Sequence, residues 1–187
     1  KLLNNGELVL LKDCSHGMFE TKSQKISKII ENFLDRKLDK HPKTKKIAAP
    51  IKKIIDEKKI KKFYTDSQYG QLHYRKTGDN NSNPPLICFH MSPNSGKIYE
   101  TFMEVISKDR IVIAPDTPGF GESEPPMEEP SIEDYAETMS SFIDKLGFNQ
   151  VDLIGYHTGS ITCIALANFR PDLVRKIVQI SCPIYNE

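Results

Sequence analysis

Short apolar runs separated by amphipathic segments dominate the longer, C-terminal part of the chain. Four of these runs have the length and composition of buried strands, at residues 86–89, 111–114, 151–154 and 177–180. Between them, apolar residues recur at three- and four-residue steps, which is the spacing of one buried helix face. The clearest such helix is predicted to begin after Ser131 and to end at Gly147. Strands that alternate with helices predict the α/β class, a mostly parallel sheet with helices on both faces.

The N-terminal part of the chain carries a further set of elements. Residues 7–11 predict a buried strand, and the loop after it contains His16. An amphipathic helix is then predicted by apolar residues spaced by three and four, namely Ile26, Ile29, Ile30, Phe33, Leu34 and Leu38. Further along, residues 63–65 and 72–75 lie on either side of a Ser-Gln-Tyr-Gly turn and predict an antiparallel hairpin.

A lysine-rich segment, residues 39–62, separates these two parts. Residues 1–65 carry 17 Lys or Arg against 8 Asp or Glu, whereas residues 66–187 carry 9 against 17. A basic arm of this kind can bind nucleic acid or an anionic membrane. Because no aromatic residues are interleaved with the lysines, we interpret the segment as a solvated linker and expect no nucleic-acid partner.

Composition narrows the class of protein further. The chain of 187 residues is long enough for one domain with a single core. It has no apolar run of the roughly 18 residues that a membrane span needs, and no basic segment followed by an apolar one at its start. We therefore expect a cytoplasmic location without stable membrane insertion. The four cysteines are far apart, which argues against a zinc site and a disulfide framework, and without a dinucleotide fingerprint no cofactor is expected.

Unusual residues follow three of the predicted strands. They form the segments His90-Met91-Ser92-Pro93-Asn94-Ser95-Gly96, Asp116-Thr117-Pro118-Gly119-Phe120-Gly121-Glu122-Ser123 and Gly155-Tyr156-His157-Thr158-Gly159. The carboxyl ends of parallel strands lie along one edge of a sheet, and ligand sites of open α/β folds form there. The three segments are therefore predicted to build one site for a small-molecule substrate.

These segments, at this spacing, resemble the α/β-hydrolase family. The first is similar to its His-Gly-x-Pro oxyanion loop, the second to its Asp-x-Pro-Gly-x-Gly-x-Ser loop, and the third to its nucleophile elbow, a strained strand-to-helix turn flanked by glycines. The resemblance covers residues 63–187 continuously and residues 1–38 separately, and it is closest to a subgroup whose elbow reads Gly-x-His-Thr-Gly. Two positions depart from the common pattern, with Met91 in place of glycine and His157 in place of serine.

The resemblance implies a chemical role for four residues. The backbone N–H groups of Ser92 and Thr158 are expected to form the oxyanion hole, whatever their side chains are. His157 is expected to act as nucleophile or general base, because a neutral imidazole carries a free lone pair near pH 7. His16 matches the family's catalytic histidine, which follows the last strand, although it lies at the opposite end of this chain. Together they predict a hydrolase for a small ester, amide or related carbonyl substrate.

Loss of the usual serine also fits a second interpretation, a non-catalytic module that binds a small molecule on a hydrolase fold. The triad acid stays unidentified: Asp116 lies in a loop that is usually structural in the family, and Glu187 is the other carboxylate that follows a strand. Ser123 and Ser160 are interpreted as a loop serine and a helix-surface serine, not as substitute nucleophiles. The oligomeric state is not predicted.

The order of the elements allows two arrangements of the chain. In one, residues 1–38 resemble the C-terminal end of one hydrolase domain, residues 39–62 are a linker, and residues 63–187 start a second domain up to its sixth strand. In the other, one domain is permuted, and the first segment returns to the sheet edge beside the predicted sixth strand. We favour the first, a piece of a longer chain, because the second would still lack a strand. It predicts that His16 lies far from His157.

Overall fold

A computed structural model describes residue 9 and residues 18–35, 60–79 and 82–183. The helices are α1 (Met18–Thr21), α2 (Ser23–Leu34), α3 (Glu100–Ile106), α4 (Ile132–Lys145) and α5 (Thr158–Phe169), and a 3₁₀ helix, Gly96–Tyr99, leads into α3. The strands are β1 (Lys61–Ser67), β2 (Gly70–Thr77), β3 (Leu86–Phe89), β4 (Val112–Pro115), β5 (Val151–Tyr156) and β6 (Val174–Ile180). Within this described part of the chain, no helix is long and apolar enough to cross a membrane.

Six strands form one sheet in the order β1-β2-β4-β3-β5-β6. Strand β3 pairs in parallel with both β4 and β5, and β5 pairs in parallel with β6. The predicted hairpin, β1 and β2, joins β4 in an antiparallel manner. The mostly parallel sheet expected from the sequence is therefore confirmed, and the carboxyl ends of β3, β4 and β5 lie side by side.

Helices cover both faces of this sheet, as the pattern predicts. Successive residues of a strand point to opposite faces. On β3, Ile87 and Phe89 pack in a cluster with α4 and α5, whereas Leu86 and Cys88 pack with α1, α2 and α3. All four side chains are fully buried, so β3 is the centre of both layers.

The predicted N-terminal helix is α2, and it packs on the same sheet as residues 60–183. Its buried apolar residues are spaced by four, Ile26, Ile30 and Leu34. At its C-terminal end, the side chains of Arg175 and Lys176 on β6 donate hydrogen bonds to the carbonyl oxygen of Leu34, at 3.4 and 2.5 Å. Cations are favourable at this end of a helix, where carbonyl groups carry negative partial charge.

Helix α1 holds the chain beside the end of β5. The ring of Phe19 lies edge-on to those of Tyr99 and Tyr156, with centroids 4.8 and 5.4 Å apart. A core shared between α1 and the sheet is also what a permuted domain requires, and the choice between the two arrangements stays a prediction. The discriminating distance, between His16 and His157, lies outside the described residues. In the predicted strand 7–11, Val9 alone is described, and it is exposed and outside any strand.

Candidate functional site

His157 lies in a strained turn between β5 and α5. Its backbone has φ 52° and ψ −114°, a conformation that is unusual for a residue with a bulky side chain. The N–H of His157 donates to the carbonyl oxygen of Ile180 on β6 at 2.8 Å, and the N–H of Ser160 donates to the carbonyl oxygen of His157 at 2.9 Å. The strand–turn–helix unit predicted from the Gly-x-His-x-Gly spacing is therefore present.

Close backbone approach requires both glycines of this turn. A Cβ at Gly155 would lie 2.5 Å from the carbonyl oxygen of Gly159 and 2.5 Å from the Cα of Ser160. A Cβ at Gly159 would lie 2.7 Å from the carbonyl carbon of Phe89, the last residue of β3. Helix α5 thus begins in direct contact with β5 and with the end of β3, which brings the elbow against the loop after β3.

Ser92 and Thr158, the two predicted oxyanion residues, are neighbours. The N–H of Ser92 donates to Thr158 Oγ1 at 2.7 Å, and this hydroxyl lies 3.4 Å from Ser92 Oγ. Ser92 is exposed and Thr158 is half-buried, so the contact faces solvent. Met91, which replaces a glycine of the family pattern, packs against the apolar cluster that contains Phe19 and Tyr99. This cluster therefore accommodates the side chain that a glycine would lack.

The side chain of His90 connects the loop after β3 to the loop after β4 through hydrogen bonds. Its Nδ1 lies 2.9 Å from the carbonyl oxygen of Met91, and its Nε2 accepts the N–H of Thr117 at 3.0 Å. These partners require the neutral tautomer with the proton on Nδ1. Burial lowers the pKa of His90 below its ordinary value, because the charged ring would lose its hydration.

We expect His90 to make the protein less stable as the pH falls below about 6.5. Because its pKa is depressed in the folded protein, the unfolded chain takes up the proton first. Stability that is present above the unfolded pKa is therefore lost as the pH falls toward the folded pKa. Urea unfolding at about pH 7.5 and about pH 5.5 measures this loss, and His90→Gln should lose less over the same interval. Equal losses in the two proteins would contradict the prediction.

Asp116, after β4, is a buried residue that ties the loops together. Its carboxylate accepts hydrogen bonds from the backbone N–H groups of Gly96 at 2.7 Å and Glu122 at 2.9 Å, and from the guanidinium of Arg75 at 3.0 Å. The Nδ1 of His73 lies 2.9 Å from the same carboxylate. With its oxygens saturated in this way, Asp116 has a structural role and holds the loops after β3 and β4 in place.

Two residues of this cluster, His73 and Arg75, received no role from the sequence. Both are buried on β2, and residues two apart on a strand point to the same face. The available signal was the presence of two polar side chains that alternate with the apolar residues Leu72 and Tyr74, because a polar group that becomes buried needs a partner. The surface position predicted for Ser160 is wrong: α5 lies directly on β5, so Ser160 is fully buried and its Oγ donates to the carbonyl oxygen of Gly155 at 2.8 Å.

The remaining predicted site residues, His16 and Glu187, lie outside the described residues. The Nδ1 atom of His157 is buried, and no described residue forms a hydrogen bond with it. Across residues 18–35, 60–79 and 82–183, no cluster of three or more His, Cys, Asp or Glu side chains could hold a metal ion. Within the described residues, the candidate site therefore consists of the His157 imidazole at the elbow and, beside it, the hydrogen bond from the Ser92 N–H to Thr158 Oγ1.

A family model for the alpha/beta hydrolase fold matches residues 84–183, just over half of the chain. The match contains strands β3 to β6 and all three loops that follow them. The chain belongs to the alpha/beta hydrolase fold family. Haloalkane dehalogenase 2 of Mycobacterium tuberculosis (strain ATCC 25618 / H37Rv) is 33% identical to this hydrolase-fold chain over 115 residues, which are 60% of this chain and 39% of that protein.

Solved structures of other proteins share the fold. The epoxide hydrolase CorEH has a TM-score of 0.62 at 26% identity and covers 66% of this hydrolase-fold chain and 42% of its own. The N-acyl homoserine lactonase AidH has a TM-score of 0.61 at 26% identity and covers 66% of this chain and 46% of its own. The alpha/beta hydrolase chain therefore spans less than half the length of these relatives.

Proposed function

We propose that this chain carries the reactive part of a hydrolase for a small ester, amide or related carbonyl compound, with His157 as nucleophile or general base, in the subgroup with a Gly-x-His-Thr-Gly elbow. The observation that carries the proposal is the backbone of His157, held at φ 52°. Such strain costs about 1–3 kcal/mol and is typical of active sites. The similar proteins are a haloalkane dehalogenase, an epoxide hydrolase and a lactonase, which supports hydrolysis as the reaction class.

An imidazole at the elbow can react in two ways. As a nucleophile, a ring nitrogen attacks the carbonyl carbon, the C=O electron pair moves to the oxygen, and the N–H groups of Ser92 and Thr158 donate to that oxyanion. The leaving alcohol or amine departs with the proton that the imidazole loses when it is acylated. One water then hydrolyses the acyl-imidazole to the free acid and returns a proton to the ring. As a general base, His157 instead removes a proton from the attacking water.

We propose His16 as the partner of His157. It matches the family's catalytic histidine by resemblance, and the buried Nδ1 of His157 needs an acceptor whenever it carries the proton. Phe19 packs against Tyr156, the residue before His157, and three residues of chain span at most about 11 Å. The short length of chain between Phe19 and His16 supports this proposal.

The test uses the complete polypeptide and an activated ester, p-nitrophenyl acetate. Turnover should be abolished in His157→Ala, and mass spectrometry of the peptide that contains His157 should reveal an acetyl adduct if the ring is the nucleophile. The matched control is His41→Ala, which removes a histidine of the lysine-rich segment and should behave as the wild type. Turnover unchanged in His157→Ala would remove the proposed mechanism, whereas lost turnover without an adduct favours the general base.

A second candidate function is a non-catalytic binding module. The hydrogen bond between the Ser92 N–H and Thr158 Oγ1 favours it, because one of the two oxyanion donors already has a partner within the protein. Such a module would bind a small molecule stoichiometrically and release it unchanged. Mass spectrometry of the recovered ligand separates this outcome from turnover.

A further inference from the structure

Thr158 contributes two different groups to the candidate site. Its backbone N–H belongs to the first residue of α5, and its side-chain hydroxyl accepts the N–H of Ser92 at 2.7 Å. The distance of 3.4 Å to Ser92 Oγ is too long for a strong bond between hydroxyl groups. The strong interaction of this hydroxyl is therefore the one that occupies the Ser92 N–H.

A ligand oxygen and the Thr158 hydroxyl need the same position. A backbone N–H has one hydrogen, and an acceptor oxygen lies about 2.9 Å from its nitrogen. Thr158 Oγ1 already stands at that distance from Ser92. The hydroxyl has to rotate about the Cα–Cβ bond before a ligand oxygen can bind, and the exposure of Ser92 leaves the ligand a path to it.

We propose that the Thr158 side chain is an internal competitor for the ligand oxygen and sets the affinity of the site for small carboxylates and oxyanions. This inference rests on the proposed role of the Ser92 and Thr158 N–H groups. When a neutral carbonyl displaces the hydroxyl, one neutral hydrogen bond replaces another, so little binding free energy is gained. An anionic oxygen makes a charge-assisted bond about twice as strong, so anionic ligands overcome the competition.

The test compares the wild type with Thr158→Val, which keeps the branched shape without the hydroxyl, and with Thr158→Ser, which keeps the hydroxyl. In the complete polypeptide, the Ser92 amide proton should exchange with solvent faster in Thr158→Val, because it has lost its acceptor. Titration with butanoate, followed by nitrogen–proton NMR at both amides, should give about fivefold tighter binding in Thr158→Val and wild-type affinity in Thr158→Ser. Butanamide, the neutral analogue, should bind the wild type more weakly than butanoate.

The outcomes separate this inference from the proposed function. Equal butanoate affinities of the wild type and Thr158→Val, with both amides responding, would overturn the competition and leave the oxyanion site intact. Equal binding of butanamide and butanoate would overturn the preference for anionic oxygen. If neither the Ser92 nor the Thr158 amide resonance shifted in any of the proteins, both the inference and the proposed oxyanion site would be overturned. Amide resonances away from the site report whether Thr158→Val is folded, and Thr158→Ala provides the same comparison if it is not.

Discussion

Gly159→Ala is expected to destabilise the protein by about 3 kcal/mol. The added Cβ would lie 2.7 Å from the carbonyl carbon of Phe89 and 2.8 Å from the carbonyl oxygen of His90. Both are backbone atoms, so no side-chain rotation relieves the overlap, and either β3 or α5 has to move. The change in the free energy of unfolding is measured by urea denaturation. Because Ser92 lies two residues beyond His90, its amide resonance should shift in the same variant.

The matched control for this prediction is Gly147→Ala. Gly147 follows α4 with φ 77°, and among the described residues other than its chain neighbours, no atom would lie within 4 Å of a Cβ there. Its substitution therefore costs about 1 kcal/mol for the left-handed backbone alone, without any overlap. If Gly159→Ala and Gly147→Ala lowered the free energy of unfolding equally, α5 would lie farther from the end of β3 than the distances above indicate.

Asp152→Ala is expected to cost about 3–5 kcal/mol, because it removes one partner from a buried cluster of charges. The carboxylate of Asp152 is fully buried, accepts from Arg175 Nε at 2.8 Å and lies 3.4 Å from Nη1 of Arg110. Arg110 is itself fully buried and also pairs with Asp35, just beyond α2, at 2.7 Å. Without Asp152, these cations lose a charge that compensates for their missing hydration.

Urea unfolding of Asp152→Ala is compared with that of Asp172→Ala. Asp172 is the exposed partner of Arg170, and the loss of a surface ion pair should change the free energy of unfolding little. Hydrogen exchange in α2 should also become faster in Asp152→Ala, because Arg175 and Arg110 hold the end of that helix. If Asp152→Ala lowered the free energy of unfolding no more than Asp172→Ala does, water would have replaced the carboxylate in the cluster.

Local sequence patterns predicted most of the fold. Helix α4 is an example, since Ser131 accepts the N–H of Asp134 at 3.1 Å as N-cap and Gly147 follows the helix with a positive φ, both at the predicted positions. These ends are predictable because a cap depends on residues within one turn of it. Helix α5 begins at Thr158, directly after the elbow, because the turn at His157 and not hydrophobic spacing determines its start.

The sequence indicated which residues lie at the candidate site, but it indicated less about the contacts between them. Motif spacing indicated that His157, Ser92 and Thr158 would meet at one edge of the sheet, and Ser92 and Thr158 are in contact. The occupation of the Ser92 N–H by a side chain was not predictable. It depends on a rotamer of Thr158 that is set by a residue 66 positions earlier in the chain.

At the elbow, the contribution of the local sequence can be separated most clearly from that of the tertiary structure. The sequence by itself determined the fold class, the three loops at the strand ends and the unusual histidine, because strand periodicity and glycine spacing are local properties. Only the tertiary structure decided that Asp116 is saturated by four partners, that Thr158 closes on Ser92, and that α1 and α2 share a core with the sheet. Those features depend on distances between segments that are far apart in the chain, and such distances are settled only when the whole core packs.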